Sequence, residues 1–189
     1  MIKKSTKVFN AALSIALSTA IMMSSTTSAF ALSTNSGSSS EIGKYTTTST
    51  KSVSFPTLKK GSQGFRVQAL QYMLNYHVGA GLTTDGVFGD ATEKAVIKFQ
   101  NSRGIKPADG IVKGSTWTNL TNVVQTKSSY SAYATKAIQV LLNNKISANL
   151  SVDGIYGTNT ENAVKRFQKA QGIDEDGKVG PETWNYLFH

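Results

Sequence analysis

The sequence predicts an all-α protein in which two tandem three-helix repeats follow a signal peptide and a Ser/Thr-rich disordered spacer. Two observations carry this prediction. Most of the chain repeats itself at a nearly constant offset, and the first residues have the charge and hydrophobicity of an export signal. The 189 residues contain no cysteine, which excludes disulfides and cysteine nucleophiles.

Residues 1–31 have the pattern of a signal peptide. Three lysines precede a mostly apolar stretch over 11–23, and Ala29-Phe30-Ala31 places small residues where a signal peptidase cleaves. The apolar stretch is shorter than the ~20 residues that span a bilayer. We therefore expect cleavage after Ala31, no membrane span in the mature chain, and a secreted protein that is extracellular or associated with the cell wall.

Residues 32–56 are dominated by Ser and Thr, a composition that predicts a disordered spacer. Cleavage after Ala31 removes three lysines and no acid, which lowers the formal net charge from +9 to +6. A basic secreted chain favours anionic partners. Nucleic acid is not an expected partner, because the sequence has no dense basic run or recognition motif.

The rest of the chain is a tandem repeat. The segment Asp85-Gly86-Val87-Phe88-Gly89 returns 68 residues later as Asp153-Gly154-Ile155-Tyr156-Gly157, and Trp117 matches Trp184 after the loss of one residue. Such self-similarity predicts two equivalent structural units. Because a unit of this size has a marginal core by itself, we expect the two to pack together. The predicted bounds are 57–122 for repeat 1, 123–129 for a linker and 130–189 for repeat 2.

The first helix of each repeat is predicted from hydrophobic periodicity. It runs from about Phe65 to Tyr76 in repeat 1, where Val67, Leu70 and Leu74 share one face. In repeat 2 the same logic applies to Ile138, Leu141 and Leu142.

The second helix is predicted from its end signals. It starts near Ala91, with Asp90 as the cap and Glu93 completing a capping box. Thr158 and Glu161 take these places in repeat 2. The buried stripe contains Ala95, Val96 and Phe99 in repeat 1 and Ala163, Val164 and Phe167 in repeat 2.

A short third helix completes each unit. Gly104 and Gly172 fit the left-handed turn that ends the second helix, and Pro181 suits the first turn of the third helix. Trp117 and Leu120, like Trp184 and Leu187, are expected to close the core.

The Asp-Gly-x-aromatic-Gly segment is predicted to turn the chain between the first two helices. Its glycines permit positive φ angles, and its aspartate can accept hydrogen bonds from backbone N–H groups in the turn. We expect the aromatic residue to fill the core beneath the turn.

Together these motifs resemble the peptidoglycan-binding domain 1 family, a three-helix module of bacterial wall hydrolases. The resemblance covers almost the whole predicted mature chain beyond the spacer. One departure is that the opening Gly61 and Gly64 have no counterpart in repeat 2, which has Ser128 to Ala132 there. The other motifs that carry it are Leu58-Lys59-Lys60, the loop 85–89, Thr92-x-x-Ala95-Val96-x-x-Phe99-Gln100, Gly104-Ile105, Asp109-Gly110-x-Val112 and Thr116-Trp117-x-x-Leu120, most of them repeated in repeat 2, including Val179 and Thr183-Trp184.

The resemblance implies binding to bacterial peptidoglycan without catalysis, because the family's modules are usually attached to a catalytic domain and no residues remain here for one. The residues themselves point the same way. The mature chain has only His77 and His189, too few for a histidine-rich zinc site or a recognisable Ser-His-Asp triad. The clustered carboxylates are explained by turns and helix caps, so we predict no catalytic residue, no metal and no cofactor. In a bacterial wall, teichoic acid or another wall polyanion would be the anionic partner of the basic chain.

Candidate ligand contacts come from positions outside the predicted apolar stripes, and from the aromatic of the turn. Aromatic rings, amides and charges are the groups that recognise sugar rings, hydroxyls and carboxylates. Each candidate also has a structural interpretation, as a helix-end amide, a core aromatic or plain surface. The candidates are Arg66, Gln71, Tyr72, Tyr76, Phe88, Gln100, Arg103, Gln139, Tyr156, Gln168 and Gln171.

Three hypotheses for function remain open at this level. The first is a secreted, non-catalytic wall protein that binds peptidoglycan through both repeats. The second is a small wall-lytic enzyme, or an accessory or targeting subunit of a wall hydrolase. The third is a protein-interaction module at the cell surface, and no sequence feature separates it from the first.

Overall fold

The computed structural model describes residues 54–189, which belong to one compact unit. The predicted signal peptide and the predicted spacer up to residue 53 lie outside the described residues. Within them the all-α prediction is confirmed, because the backbone forms six helices and only isolated β-bridges. The helices are α1 Phe65–Val78, α2 Asp90–Ser102 and α3 Gly114–Leu120 in repeat 1, and α4 Ala132–Ile146, α5 Thr158–Gln171 and α6 Pro181–Phe188 in repeat 2.

The predicted apolar stripes form the core. Val67, Leu70 and Leu74 of α1 are fully buried, and so are the tryptophans Trp117 and Trp184 of the short third helices. Burying side chains of this size contributes about 1.5–3 kcal/mol each to folding. The core therefore follows from the sequence period.

The starts of α2 and α5 differ from the prediction. Gly89 and Gly157 occupy the capping positions, neither helix has a side-chain cap, and Asp90 and Thr158 are the first helical residues. The predicted capping box is wrong because Asp90 turns away to form an exposed ion pair with Lys60. An acid at this position still interacts favourably with the helix dipole.

The turn between the first two helices of each repeat confirms part of its prediction. Gly86 has φ 76° and Gly154 has φ 81°, and a Cβ on Gly154 would lie 2.8 Å from the carbonyl oxygen of Ala132. Only glycine fits both constraints. The second glycines, Gly89 and Gly157, have negative φ angles of −94° and −86°, so the expectation of positive φ is wrong for them.

The chain that precedes each predicted repeat packs against that repeat. The indole Nε1 of Trp117 donates to the carbonyl oxygen of Pro56 at 2.6 Å, and that of Trp184 donates to Val123 at 3.0 Å. Phe55 also stacks on Trp117, with ring centroids 5.3 Å apart. Residues 55–56 of the predicted spacer therefore pack against repeat 1.

The predicted linker, 123–129, also contacts repeat 2. Gln125 pairs with Val179 in an antiparallel bridge, as Leu58 pairs with Val112 in repeat 1. The two bridges occupy equivalent positions in the two repeats. Each one joins the start of a repeat to the residues just before its third helix.

The expectation that the repeats pack together is confirmed, since α1 and α4 form the most extensive helix pairing. At the seam between the repeats, Arg66 donates to the backbone oxygens of Phe188 at 2.7 Å and His189 at 2.5 Å. The ring of Phe188 contacts both tryptophans, with centroids 4.4 Å from Trp117 and 5.9 Å from Trp184. Among residues 54–189, no helix is long and apolar enough to cross a membrane.

Candidate functional site

One hydrogen-bonding arrangement recurs at the turns that precede the second and third helices. In its first copy, Nε2 of Gln71 donates to Oδ1 of Asp85 at 2.8 Å and to the carbonyl oxygen of Val87 at 3.0 Å. Oε1 of Gln71 accepts from the N–H of Gly86 at 2.9 Å, and Oγ1 of Thr92 lies 3.2 Å from Nε2. A buried amide is thus satisfied by the turn that it stabilises.

We name this arrangement the Gln-Asp-Thr turn, and each repeat contains two of them. In every copy the threonine follows the aspartate by seven residues, and the aspartate accepts a bond from the N–H two residues ahead. The glutamines are at most 2% exposed. The four sets are Gln71, Asp85 and Thr92; Gln100, Asp109 and Thr116; Gln139, Asp153 and Thr160; and Gln168, Asp176 and Thr183.

The turns hold their four carboxylates in the ionised form. Bonds from the N–H of Val87 and the amide of Gln71 lower the pKa of Asp85. The pKa values of Asp109 and Asp153 are lowered chiefly by the matching backbone bonds. Burial opposes the shift at Asp176, but the N–H of Lys178 and the amide of Gln168 outweigh it and lower that pKa as well. These aspartates are therefore acceptors near neutral pH.

An open hollow lies at each Gln-Asp-Thr turn. In repeat 1 the hollows beside Gln71 and Gln100 measure about 440 Å³ and 180 Å³. In repeat 2 those beside Gln139 and Gln168 measure about 330 Å³ and 300 Å³. Ligand pockets commonly start at about 300 Å³, so three of these hollows could hold a small polar group.

The structure places six of the sequence candidates in the interior. The expectation that Gln71 lies off the buried stripe is wrong, whereas the structural interpretation of Gln100 and Gln168 as helix-end amides is confirmed. Gln139 is equivalent to Gln71. Phe88 and Tyr156 are each 1% exposed, and the Tyr156 hydroxyl donates to the carbonyl oxygen of Gly177 at 2.9 Å.

The remaining candidates lie in separate places. Arg66 is at the seam between the repeats, Tyr72 is half-buried against the core, and Gln171 is exposed at the end of α5. Tyr76 and Arg103 are both exposed. Ligand contact by any of these residues stays a prediction.

Tyr76 and Arg103 meet at His77. The Tyr76 and His77 ring centroids are 4.8 Å apart, and Arg103 Nη2 lies 3.2 Å from Nδ1 of His77. Nε2 of His77 lies 2.7 Å from the carbonyl oxygen of Leu120 and acts as the donor to it. Burial lowers the pKa of His77, with a smaller contribution from the charge of Arg103.

Sequence reasoning missed residues around the hollow at Gln139. Asn149, Ser151 and Asn159 line it, as does Ile155, which is 56% exposed. Apolar periodicity gives no weight to such residues. Aligning the repeats position by position would have found them, since Asn149 and Asn159 stand where repeat 1 has glycine and alanine.

Metal binding has no visible basis in the part of the chain that the structure describes. No group of three or more His, Asp or Glu side chains is placed to hold an ion there.

Comparison with known proteins identifies the family of both repeats. The sequence profile described as "Putative peptidoglycan binding domain" matches residues 63–120 and 131–187. A Bacillus licheniformis protein named "Probable N-acetylmuramoyl-L-alanine amidase" is 36% identical over 72% of this chain and 46% of its own length. A "Zinc D-Ala-D-Ala carboxypeptidase" from Streptomyces albus G is 32% identical over 65% of this chain and 45% of its own.

A solved structure is also similar in sequence. It is the crystal structure of a peptidoglycan-binding protein from Clostridioides difficile in complex with glutamine hydroxamate, 38% identical over 36% of this chain and 42% of that one, with a TM-score of 0.34. The chain spans about half the length of the curated relatives that it matches. With both repeats matched over most of their length, the chain belongs to the peptidoglycan-binding domain family, of which it contains two tandem copies.

Proposed function

We propose that this chain is a secreted, non-catalytic protein of the bacterial cell wall that binds peptidoglycan through its two repeats. The observation that carries the proposal is that both family-matched segments fold into one compact unit with open polar hollows at equivalent turns. Binding of a repeating polymer by two linked sites gains avidity of about 10² or more when both sites engage.

The electrostatics of the turns favour binding over hydrolysis. A glycosidase needs a carboxyl group whose raised pKa keeps it protonated as a general acid. The four turn aspartates have lowered pKa values and are engaged by backbone N–H groups. His77 is engaged at both ring nitrogens. These groups are engaged by the fold, which supports a role in binding over one in proton transfer.

The charge of the chain supports a wall location. Loss of residues 1–31 on export would leave a formal charge of +6, which favours association with teichoic acid or another anionic wall polymer. Such attraction between exposed charges weakens as salt shortens the Debye length to about 3 Å at 1 M. Salt therefore separates charge-driven association from specific recognition.

The test is co-sedimentation of the Leu32–His189 chain with purified sacculi, with and without teichoic acid, at low and high salt. Retention on sacculi without teichoic acid at high salt is the expected result. Binding that requires teichoic acid and disappears with salt would reduce the function to charge attraction. Absence of binding would contradict the proposal and favour a protein-interaction module.

A second candidate is an accessory or targeting subunit of a wall hydrolase. The observation that favours it is that two similar proteins of about twice the matched length are named as an amidase and a carboxypeptidase. Dye release from labelled sacculi would be followed with the chain alone and with a purified amidase. Release by the chain alone would make it an enzyme, and faster release by the amidase would make it an accessory subunit.

A further inference from the structure

The equivalent hollows of the two repeats differ in the residues that line them. In repeat 1, the hollow at Gln71 contains Asp90, which pairs with Lys60, and also Lys94. In repeat 2, the positions of Asp90 and Lys94 are held by Thr158 and Asn162. Asp153, whose carboxylate is engaged in the turn, is the one charged residue among those that line the repeat 2 hollow.

A cation still approaches the edge of the repeat 2 hollow. Nζ of Lys127 donates to Oγ1 of Thr158 at 2.9 Å and lies 3.7 Å from a carboxylate oxygen of Glu161. Glu161 also pairs with Lys165 at 3.2 Å, so a net positive charge stays at this edge. The lining itself presents mainly neutral donors and acceptors. Hydroxyl and amide groups of this kind match a neutral sugar better than a charged peptide stem.

Repeat 2 also places amides where repeat 1 has no polar side chain. Asn149 replaces Gly81, and Asn159 replaces Ala91. Asn149 keeps the left-handed backbone of the glycine, with φ 53° against 64°. After glycine, asparagine and aspartate are the residues that adopt this conformation most readily. The replacement therefore keeps the turn and adds an amide at the lining of an open hollow, where it can act as a hydrogen-bonding group.

Two exposed aromatic residues flank Ala132, the residue at the start of α4 that approaches the turn of this hollow. Ala132 contacts Gly154 of the turn, and on either side of Ala132 lie Tyr130 and Tyr133, which are 46% and 47% exposed. The ring of Tyr130 lies 6.3 Å from that of Tyr156 below the turn. Ile155 extends the exposed apolar surface into the hollow.

Repeat 1 lacks this aromatic surface at the equivalent positions. At an offset of 68, Tyr130 and Tyr133 correspond to Ser62 and Phe65. Phe65 is half-buried, and the guanidinium of Arg66 lies 4.8 Å above its ring. The combination of exposed rings and neutral amides is therefore a property of repeat 2.

We propose that the hollow of repeat 2 lined by Asn149, Ser151, Ile155 and Asn159, together with Tyr130 and Tyr133, binds the glycan strand of peptidoglycan through an N-acetylated amino sugar. Tyrosine rings stack on sugar faces and amides bond to hydroxyl and acetamido groups. The inference rests on the proposed function and assigns the glycan contacts to one repeat. The hollow of repeat 1, which is lined by charged residues, is then left for a part of peptidoglycan other than the sugar.

The test uses the Leu32–His189 chain, which contains all the described residues, and two probes. Intact sacculi free of teichoic acid report wall binding, and peptide-free glycan strands report sugar recognition. The double variant Asn149→Gly, Asn159→Ala gives repeat 2 the residues of repeat 1, and Tyr133→Ala removes an exposed ring. The controls in repeat 1 are Asn101→Ala and Thr118→Ala, at two exposed residues outside its hollows.

We expect the double variant and Tyr133→Ala each to weaken binding to glycan strands by about tenfold or more, because two hydrogen bonds or a stacked ring are lost. The repeat 1 controls are expected to bind within about twofold of the unchanged chain, since these exposed changes lie outside the site. Thermal unfolding checks folding, and Asn149→Gly should leave the melting temperature nearly unchanged because glycine adopts the same positive φ.

Three other results would each overturn a different part of the proposal. If the repeat 2 variants bind glycan strands as the unchanged chain does, or if the repeat 1 controls weaken binding equally, the assignment to repeat 2 is overturned while wall binding stands. If the unchanged chain binds sacculi but not peptide-free strands, the ligand class is overturned. If it does not bind sacculi, the proposed function fails together with this inference.

Discussion

The two repeats share their interior and differ at their surfaces. Both bury one tryptophan and tie its indole N–H to the incoming chain, at Pro56 in repeat 1 and at Val123 in repeat 2. In both repeats, each Gln-Asp-Thr turn keeps an ionised aspartate hydrogen-bonded to a buried glutamine. The differences are concentrated where α1 and α4 begin and end and in the lining of the hollows. Two copies of one fold can therefore diverge in ligand chemistry while their folding requirements stay the same.

The largest effect is expected where the two repeats share a side chain. Phe188→Ala removes the ring between Trp117 and Trp184, and such a truncation costs about 3–5 kcal/mol. The loss of stability is measured by chemical denaturation followed by tryptophan fluorescence. In the Trp117→Phe background the reporter is Trp184, and in the Trp184→Phe background it is Trp117. We expect both reporters to shift together to lower denaturant. A shift of the Trp184 signal alone would show that the repeats unfold independently.

The Gln-Asp-Thr turns should respond alike in both repeats. Gln71→Ala and Gln139→Ala each leave a buried glycine N–H without its acceptor and remove the bonds to an aspartate and a carbonyl oxygen. We expect each change to lower the free energy of unfolding by about 1–3 kcal/mol. Equilibrium unfolding in urea gives the two values, and the exposed Gln171→Ala serves as the control with an expected change within about 0.5 kcal/mol. Unequal losses at the two glutamines would break the equivalence of the turns.

A smaller effect is expected at the end of α4. Ser147 has φ 48° where the end of α1 has Gly79 with φ 55°. Ser147→Gly should raise the melting temperature, with a gain of up to about 1 kcal/mol from relief of the left-handed conformation. Gly79→Ser is the reciprocal change and should lower stability by a similar amount. If calorimetry gives the same sign for both, backbone strain does not distinguish the helix ends.

The smallest expected effect is a pH response that belongs to repeat 1. Burial lowers the folded-state pKa of His77, so the unfolded chain binds more protons once the pH falls below about 6.5. The stability that neutral His77 contributes is complete above that pH and is lost as the pH falls through the lowered pKa. Loss of the bond from Arg103 accompanies protonation, because Nδ1 can then no longer accept it.

Melting temperatures between pH 7.5 and 5 would measure this effect, with His77→Gln as the variant expected to flatten the slope. Repeat 2 has Lys145 at this position, whose pKa is also lowered by burial and by the charge of Arg66. An ammonium stays charged throughout this range, because a lysine pKa starts from about 10.4. An unchanged slope in His77→Gln would assign the response to other groups.

The sequence was enough to predict the helices and the core, because apolar periodicity and the repeat offset both follow from packing. Val67, Leu70 and Phe99 are buried as that pattern requires. The sequence was less informative about which polar side chains are buried. Gln71 is buried because its amide matches the turn around Asp85, a contact between residues 14 apart that no local pattern reveals. The capping box failed because Gly89 takes the capping position.

The surface of repeat 2 could not be read from the motifs of the family resemblance. Tyr130 lies in the segment where the opening glycines are missing, and Tyr133 follows that segment directly. Comparison with the family motif therefore shows only that the glycines are absent. The exposure of the two tyrosines, and the approach of Ala132 to Gly154, become visible only when α4 is placed against the turn.

The seam between the repeats has a consequence for how the compact unit can be connected. Nδ1 of His189 lies 3.1 Å from the carbonyl oxygen of Ser54, while Arg66 fastens the last two residues. The two ends of the described chain are thus neighbours, the geometry that tolerates circular permutation. A short peptide could join them into a ring, and the ring could be reopened at the exposed Ser128. The order of the repeats along the polypeptide would then be reversed, with every contact of the shared core left in place.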